Sequence, residues 1–277
     1  MAARRSNRRP AAAPERAPII TLTTDFGTRD PFVGIMKGVM LGLAPHARFV
    51  DLTHDVPPQD VVAGAYALRS AVSWFPAGTI HLAVVDPGVG TRRRALAIAT
   101  KDAWFVGPDN GLFSWVAPKH AIRTIVEISR SPYRLRPMSR TFHGRDLFAP
   151  VAAALACGAP PERLGRAVRA IERLRAPAVR RRGRSLYGEV LWTDRYGNLT
   201  TSISGGDLGR NGFRGRRVSI TIGDHVVPFR SSYAAVRRNC AVAVLNSADL
   251  VEIAVNHGSA AAALGAGRGD GVRVDGK

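Results

Sequence analysis

Cysteine is scarce. Cys157 and Cys240 are the only two in 277 residues. That is too few for a disulfide framework, and neither has a C-x-x-C partner. A reducing compartment, the cytoplasm, is the expected location. Long apolar runs are missing as well: nothing approaches the roughly 18 consecutive apolar residues of a membrane-spanning helix. There is no G-x-G-x-x-G after the first strand, no G-x-x-x-x-G-K-[ST] and no G-x-S-x-G, so the common phosphate-binding loops and the hydrolase elbow are set aside. The seven histidines show no H-x3-H or H-E-x-x-H spacing. His143 and Asp146 form one ligand-type pair, too little for a zinc site. Acidic residues are few, 21 Asp+Glu against 40 Lys+Arg, for a net charge of +19.

That excess is local. Residues 1–17 carry Arg4, Arg5, Arg8, Arg9 and Arg16 against Glu15, a net of +4, and residues 163–184 carry nine arginines against Glu172, a net of +8. The cations are mostly Arg and Ala is abundant, a pattern that GC-rich coding also produces. No aromatic residue is interleaved with the 163–184 run, so base stacking is not supported and a nucleic-acid partner is not expected. No membrane partner is expected either. The remainder is ordinary: 45% hydrophobic and 22% charged residues describe a folded chain whose core needs no cross-link.

Residues 1–17 mix Ala, Arg, Pro and Ser without apolar periodicity and are expected to form a disordered basic tail. No apolar stretch follows, so no secretory signal is expected. Ile19–Thr24 reads as a strand ending in a turn, Phe32–Leu43 as a helix that stops before Pro45, and Arg48–Leu52 as a second strand. Asp60–Phe75 reads as a helix with Val61, Ala65, Leu68 and Val72 on one face. Thr79–Val85 is a third strand, Ala95–Thr100 and Ala103–Val106 a hairpin, Ile122–Ile128 a strand and Gly144–Cys157 a helix. This alternation predicts an α/β domain over residues 18–172 with a mostly parallel central sheet. An Arg-rich segment, read as a helix plus linker over 161–185, supplies a linker at 173–185. Beyond it, Gly188–Trp192, Leu199–Ser204, Arg217–Ile222, Val226–Phe229, Ala241–Leu245 and Val251–Val255 are short strands separated by turn residues. They predict a smaller antiparallel β domain over 186–268. The Gly-rich end, 269–277, is expected to fray as a tail.

Polar clusters sit at the ends of the predicted strands, where open α/β sheets bind ligands. They are Thr23-Thr24-Asp25-Phe26-Gly27 with Asp30 beyond, Asp51-Leu52-Thr53-His54-Asp55, Asp86-Pro87-Gly88-Val89-Gly90-Thr91, Gly107-Pro108-Asp109-Asn110-Gly111 and Thr141-Phe142-His143-Gly144-Arg145-Asp146. Each alone reads as a turn; five at one sheet edge read as a site. Further on come Asp194-Arg195-Tyr196-Gly197-Asn198, Asn246-Ser247 and Val255-Asn256-His257-Gly258-Ser259.

This ordered series resembles the S-adenosyl-L-methionine (SAM) hydroxide adenosyltransferase family, the adenosine-forming SAM hydrolases, relatives of fluorinase and chlorinase. The resemblance spans about residues 18–265. It implies an N-terminal α/β domain and a C-terminal β domain. It also implies a homotrimer whose active sites lie where the first domain of one subunit meets the second of the next. The implied reaction is attack of water or hydroxide at C5′ of the SAM ribose, releasing methionine and adenosine, with no metal or redox cofactor. Asp86, Arg93 and His143 match the triad around the nucleophile: a carboxylate and an imidazole that can take a proton, and a guanidinium that can hold the carboxylate and offset negative charge on hydroxide. Which of Asp86 and His143 takes the proton stays open, and Arg93 is one of three adjacent arginines. Asp25 matches the ribose-diol reader, although Asp also caps turns and helices. Asn198 matches a residue reading the adenine edge, and the backbone at Asn256 and His257 a second adenine contact. Asp194 and Ser247 match positions holding the methionine amino group, with Asp30 a further candidate there. Tyr196 and Phe142 are placed either against the purine or in the core. Halogenases carry Trp where this chain has Gln59 and Arg where it has Ala248. An SN2 halogenase, or a non-enzymatic SAM, adenosine or nucleic-acid binder, is the alternative; the Asp86 carboxylate argues against a halide nucleophile.

Overall fold

A computed structural model describes residues 17–175, 178–213 and 218–276. Most of the expected N-terminal tail, residues 1–16, lies outside the described residues. In chain order the first elements are β1 (Ile19–Thr24), α1 (Phe32–Leu43), β2 (Arg48–Thr53), α2 (Val61–Ala71), β3 (Thr79–Val84), β4 (Ala95–Thr100), β5 (Ala103–Pro108) and β6 (Ile122–Glu127). Next come α3 (Ala149–Ala156), α4 (Pro161–Leu164), β7 (Arg166–Ala167), β8 (Arg180–Arg182), β9 (Ser185–Thr193), β10 (Leu199–Ser204) and α5 (Gly205–Arg210). The last are β11 (Val218–Ile222), β12 (His225–Pro228), β13 (Ala241–Leu245), β14 (Leu250–Val255), α6 (Ala260–Leu264) and β15 (Gly271–Gly276).

The chain divides into two compact units. The first holds residues up to 55, 74–109 and 117–170, and the second holds 56–73, 110–116 and 171–276. The first unit is built on a seven-stranded sheet in the order β2-β1-β3-β5-β4-β6-β7. β1 and β3 are buried almost throughout, as strands covered on both faces must be, and Thr21, Thr23, Thr24, Thr79 and His81 are buried with their apolar neighbours. α1 turns Val33, Met36 and Met40 inward at helical spacing. Small side chains bury α3 on nearly every side.

The expectation of a mostly parallel sheet is corrected. β2, β1, β3 and β5 pair in parallel, but β5–β4, β4–β6 and β6–β7 are antiparallel, so the sheet is mixed. The cause is the hairpin between β4 and β5: its short turn must reverse direction, and β6 continues the reversal. Of the helix plus linker expected over 161–185, the helical part among the described residues is the single turn of α4.

The second unit is antiparallel in the order β12-β11-β15-β9-β10-β14-β13, with β8 added on β9. Phe229, just past β12, bridges to Ala243 of β13, so the two ends of this sheet approach each other. Asp60 caps α2 through a 3.0 Å bond from the Ala63 amide. The fraying tail is also corrected. β15 lies between β11 and β9, bonded to both, with Val272 and Val274 buried. Two valines at period two, flanked by Gly, are too short a signal to read locally, and pairing with distant strands makes the element.

His81 gives the first unit an acid-sensitive core. Its ring stacks on Phe105 at 5.3 Å and shares a 2.8 Å hydrogen bond through Nδ1 with Thr21. Burial pushes its pKa from 6.5 down to about 4. The unfolded chain therefore takes up this proton first, so stability is full above about 6.5 and drains as pH falls towards 4. The loss from this residue amounts to about 3 kcal/mol. Urea unfolding at several pH values should show a flatter decline over this window for His81→Gln than for the wild type; equal slopes would contradict the assignment.

Candidate active site

In the first unit the polar residues converge where sheet strands end. Asp86 follows β3, and its side chain is only 4% exposed. A carboxylate this deep requires a partner. Arg93 supplies it: Nε donates to Oδ1 at 2.9 Å and to Oδ2 at 3.0 Å, and Nη2 also donates to Oδ2. The loop between them is shaped by Thr91, whose hydroxyl donates to the Gly88 carbonyl at 2.7 Å and accepts from the Arg93 amide at 3.3 Å. Gly90 is required twice over. It has φ +77°, and a Cβ there would lie 2.5 Å from the Arg140 carbonyl oxygen. That close approach packs the Asp86 loop against the segment that carries His143.

His143 is buried, and Arg93 Nη2 lies 2.9 Å from its Nδ1. Arginine only donates, so Nδ1 accepts and the ring proton is assigned to Nε2. Burial, followed by the Arg93 charge, holds the His143 pKa below its ordinary value, against the opposing pull of Asp86, Asp146 and a hydrogen bond to the Ser139 backbone. The ring is thus neutral near pH 7. A π-helical turn, Gly144–Phe148, begins directly after it. Such turns recur at functional sites. Arg93 also lies over the Phe148 ring at 5.4 Å.

Asp146 is not set as a chelating partner for His143. Its oxygens accept from Arg145 Nε at 2.6 Å, Arg145 Nη2 at 3.0 Å and the Ser139 amide at 2.7 Å. Phe142 packs edge-on against Phe26 and Phe32, with Arg145 over its face at 5.3 Å. Asp25 is half-buried just past β1, and Asp30 is exposed ahead of α1. Neither caps α1, whose N-cap position is Pro31.

The second unit holds a cavity of about 910 Å³. Asp194, Tyr196, Asn198, Ser247, Asn256 and His257, all six site residues expected from this part of the chain, line it. The Asp194 carboxylate accepts from the Tyr196 amide at 2.8 Å, the Asn198 amide at 2.9 Å and Asn198 Nδ2 at 3.0 Å. It therefore closes the loop on which Tyr196 and Asn198 stand. Tyr196 is 77% exposed, so it is no core residue. The Asn256 side chain donates to the Val236 carbonyl at 2.8 Å, and His257 adopts φ +59°.

Sequence reasoning missed several lining residues. Glu252 is buried in the apolar run of β14. It accepts from the Tyr233 hydroxyl at 2.7 Å and from Asn246 Nδ2 at 3.1 Å. Burial, with Glu252 next to it, pushes the Tyr233 phenol well up. Trp192 lies against Tyr66 in a stacked pair at 6.1 Å. A lone acid in an apolar strand was the available signal for Glu252; Tyr233 and Trp192 offered none. Among the described lining residues two are acids, Asp194 and Glu252, and none is Lys or Arg. The cavity's charge favours a cationic ligand.

The chain thus joins a mixed α/β unit that buries an Asp–Arg–His cluster to an antiparallel unit with an acidic cavity, a two-unit chain with polar groups set for chemistry. Comparison with known proteins identifies the family. Residues 20–165 match the SAM hydroxide adenosyltransferase N-terminal domain, and residues 188–273 match the C-terminal domain of the same family. The chain belongs to the SAM hydroxide adenosyltransferase family. It is 43% identical over 263 residues to the (R)-S-adenosyl-L-methionine hydrolase of Thermus thermophilus, covering 91% of this chain and 97% of that protein. The Salinispora tropica protein of the same name is 41% identical, covering 93% and 97%. A fluorinase from an Actinoplanes species is more distant, at 30% identity over 70% of this chain and 74% of that one. A solved Thermotoga maritima structure, titled as an uncharacterized conserved protein, superposes with a TM-score of 0.87 at 34% identity, covering 92% of this chain and 99% of that one. No helix among the described residues is long and apolar enough to cross a membrane.

Replacing Arg93 with Met leaves Asp86 buried and uncompensated. Urea unfolding should register a loss of about 3–5 kcal/mol, much of it recovered in the Asp86→Asn/Arg93→Met double variant. A single-variant loss below about 1 kcal/mol would show that the pair is not a buried ion pair in solution.

Proposed function

We propose that this protein hydrolyses SAM to adenosine and L-methionine, by attack of water at C5′ of the ribose with departure of methionine from the sulfonium. The observation that carries this reading is the buried Asp86–Arg93–His143 cluster in a chain of this family. The new bond joins the water oxygen to C5′ and the C5′–S bond breaks. Methionine leaves as a neutral thioether, so the leaving group needs no acid, and the chemistry needs no metal or redox cofactor. The protein's task is to hold the water in line and take its proton.

Asp86 is the better proton acceptor. His143 Nδ1 already accepts from Arg93, so the imidazole serves to hold Arg93 and thereby the carboxylate. Asp25 reads the ribose hydroxyls, Asn198 and the backbone at Asn256 and His257 read adenine, and Asp194, Ser247 and Asp30 hold the amino group. Tyr196 and Phe142 pack beside the purine. The acidic cavity suits the positive charge of SAM. The relatives' name specifies the R configuration at sulfur, and we carry that preference to this chain. A homotrimer with active sites at subunit interfaces is the assembly we propose; Phe32, Ile35, Leu41 and Leu43 of α1, all exposed, support an apolar contact surface.

The test is incubation of the protein with SAM in 18O-labelled water and chloride, with products read by mass spectrometry. Labelled adenosine plus methionine is expected. Chlorodeoxyadenosine, or intact SAM, would contradict the reading. Asp86→Asn should lower turnover by roughly 10²–10⁴-fold. His143→Gln, which keeps an acceptor for Arg93, should retain more activity than His143→Ala. If His143→Gln is as inactive as Asp86→Asn, the proton goes to His143 instead.

A further inference from the structure

We propose that His54 is a positioning residue for Asp25, setting the carboxylate that reads the substrate ribose; this rests on the reading of Asp25 given above. Asp25 stands on the four-residue segment Thr24–Gly27 that leaves β1. His54, just past β2, grips that segment on both sides of Asp25. Its backbone carbonyl accepts from the Gly27 amide at 2.8 Å. Its Nδ1 lies 2.8 Å from the Thr24 hydroxyl, with both side chains buried.

The direction of the second bond follows from what faces the ring. The Thr24 hydroxyl also accepts from the Phe26 amide at 3.3 Å. His54 Nδ1 accepts the Thr24 proton, because the Asp51 carboxylate on the far side of the ring favours the tautomer protonated at Nε2. That nitrogen faces Asp51 Oδ1 at 3.0 Å, within ion-pair reach though not aligned as a hydrogen bond. The other Asp51 oxygen accepts from Lys37 Nζ at 2.6 Å. Lys37 of α1 and Asp51 of β2 therefore back the imidazole, and the imidazole backs the segment.

The rest of the segment has little freedom. Gly27 adopts φ +66°, and the Phe26 ring packs edge-on against Phe32 at 5.8 Å and Phe142 at 6.1 Å. A carboxylate that must accept from two vicinal hydroxyls tolerates little misplacement. The Thr24–His54 bond holds its backbone on the strand side, and the Phe26 ring pairs hold it beyond.

The readout is the ratio of kcat/KM for SAM to that for its 2′-deoxy analogue, measured on the full-length protein. The wild type should prefer the ribose substrate, and Asp25→Ala should lose that preference. His54→Ala should lower the ratio about tenfold, with His54→Asn, which keeps an acceptor for Thr24, restoring most of it. Thr24→Val should lower the ratio as His54→Ala does, and it serves if the alanine variant does not fold. A His54→Ala protein that slows on both substrates equally, leaving the ratio intact, would overturn the proposal and leave His54 a structural residue. Asp25→Ala that keeps the preference would overturn the ribose reading itself, and this proposal with it.

Discussion

A carboxylate with 4% of its side chain exposed is costly to bury without a cation fixed against it, and Arg93 supplies that cation to Asp86. Three donor contacts from one guanidinium orient the carboxylate, and a fourth from the same group reaches His143 Nδ1. One arginine thus orients the Asp86 carboxylate, fixes the tautomer of His143 and spans the two loops. The Thr91 turn and the glycine at position 90 exist to bring those loops within its reach. Removing any partner leaves a buried charge or an unsatisfied donor, which is why this cluster and its supporting segments behave as one unit.

The same economy governs the segment beside it. Backbone and side chain of His54 hold the turn that carries Asp25, and the Phe26–Phe32–Phe142 cluster fills the space between that turn and the His143 segment. The second unit works by different means. Its cavity is rimmed by loops of an antiparallel sheet, and Asp194 stabilises its own loop before it can serve a ligand. Two acids, with no Lys or Arg among the described lining residues, give that cavity its preference for positive charge.

Much of this was legible in the sequence. β1, β3 and β14 are short runs rich in β-branched and aliphatic residues, and the spacing of Val61, Ala65 and Leu68 announces α2. The order of motifs named the family and most of the polar residues. What escaped was non-local. β15 reads as a loose glycine-rich end, because two valines become a strand only when β9 and β11 flank them. The hairpin of β4 and β5 was legible, but that β6 and β7 carry its reversal to the sheet edge was not, so the sheet reads as mostly parallel. The bond from Arg93 to His143 joins residues 50 apart, and no local pattern chooses Arg93 from its two neighbours. Glu252 shows as an acid in an apolar strand, yet its partners Tyr233 and Asn246 lie on other segments.

The most direct test of the central claim is the protonation state of His143, read by 15N nuclear magnetic resonance on histidine-labelled protein near pH 7. The account predicts a neutral ring with Nδ1 unprotonated and accepting, and loss of that signature when Arg93 is replaced by Met. An imidazolium ring, or a neutral ring protonated at Nδ1, would contradict it, because Arg93 then has no acceptor on His143 and the cluster is not joined as described.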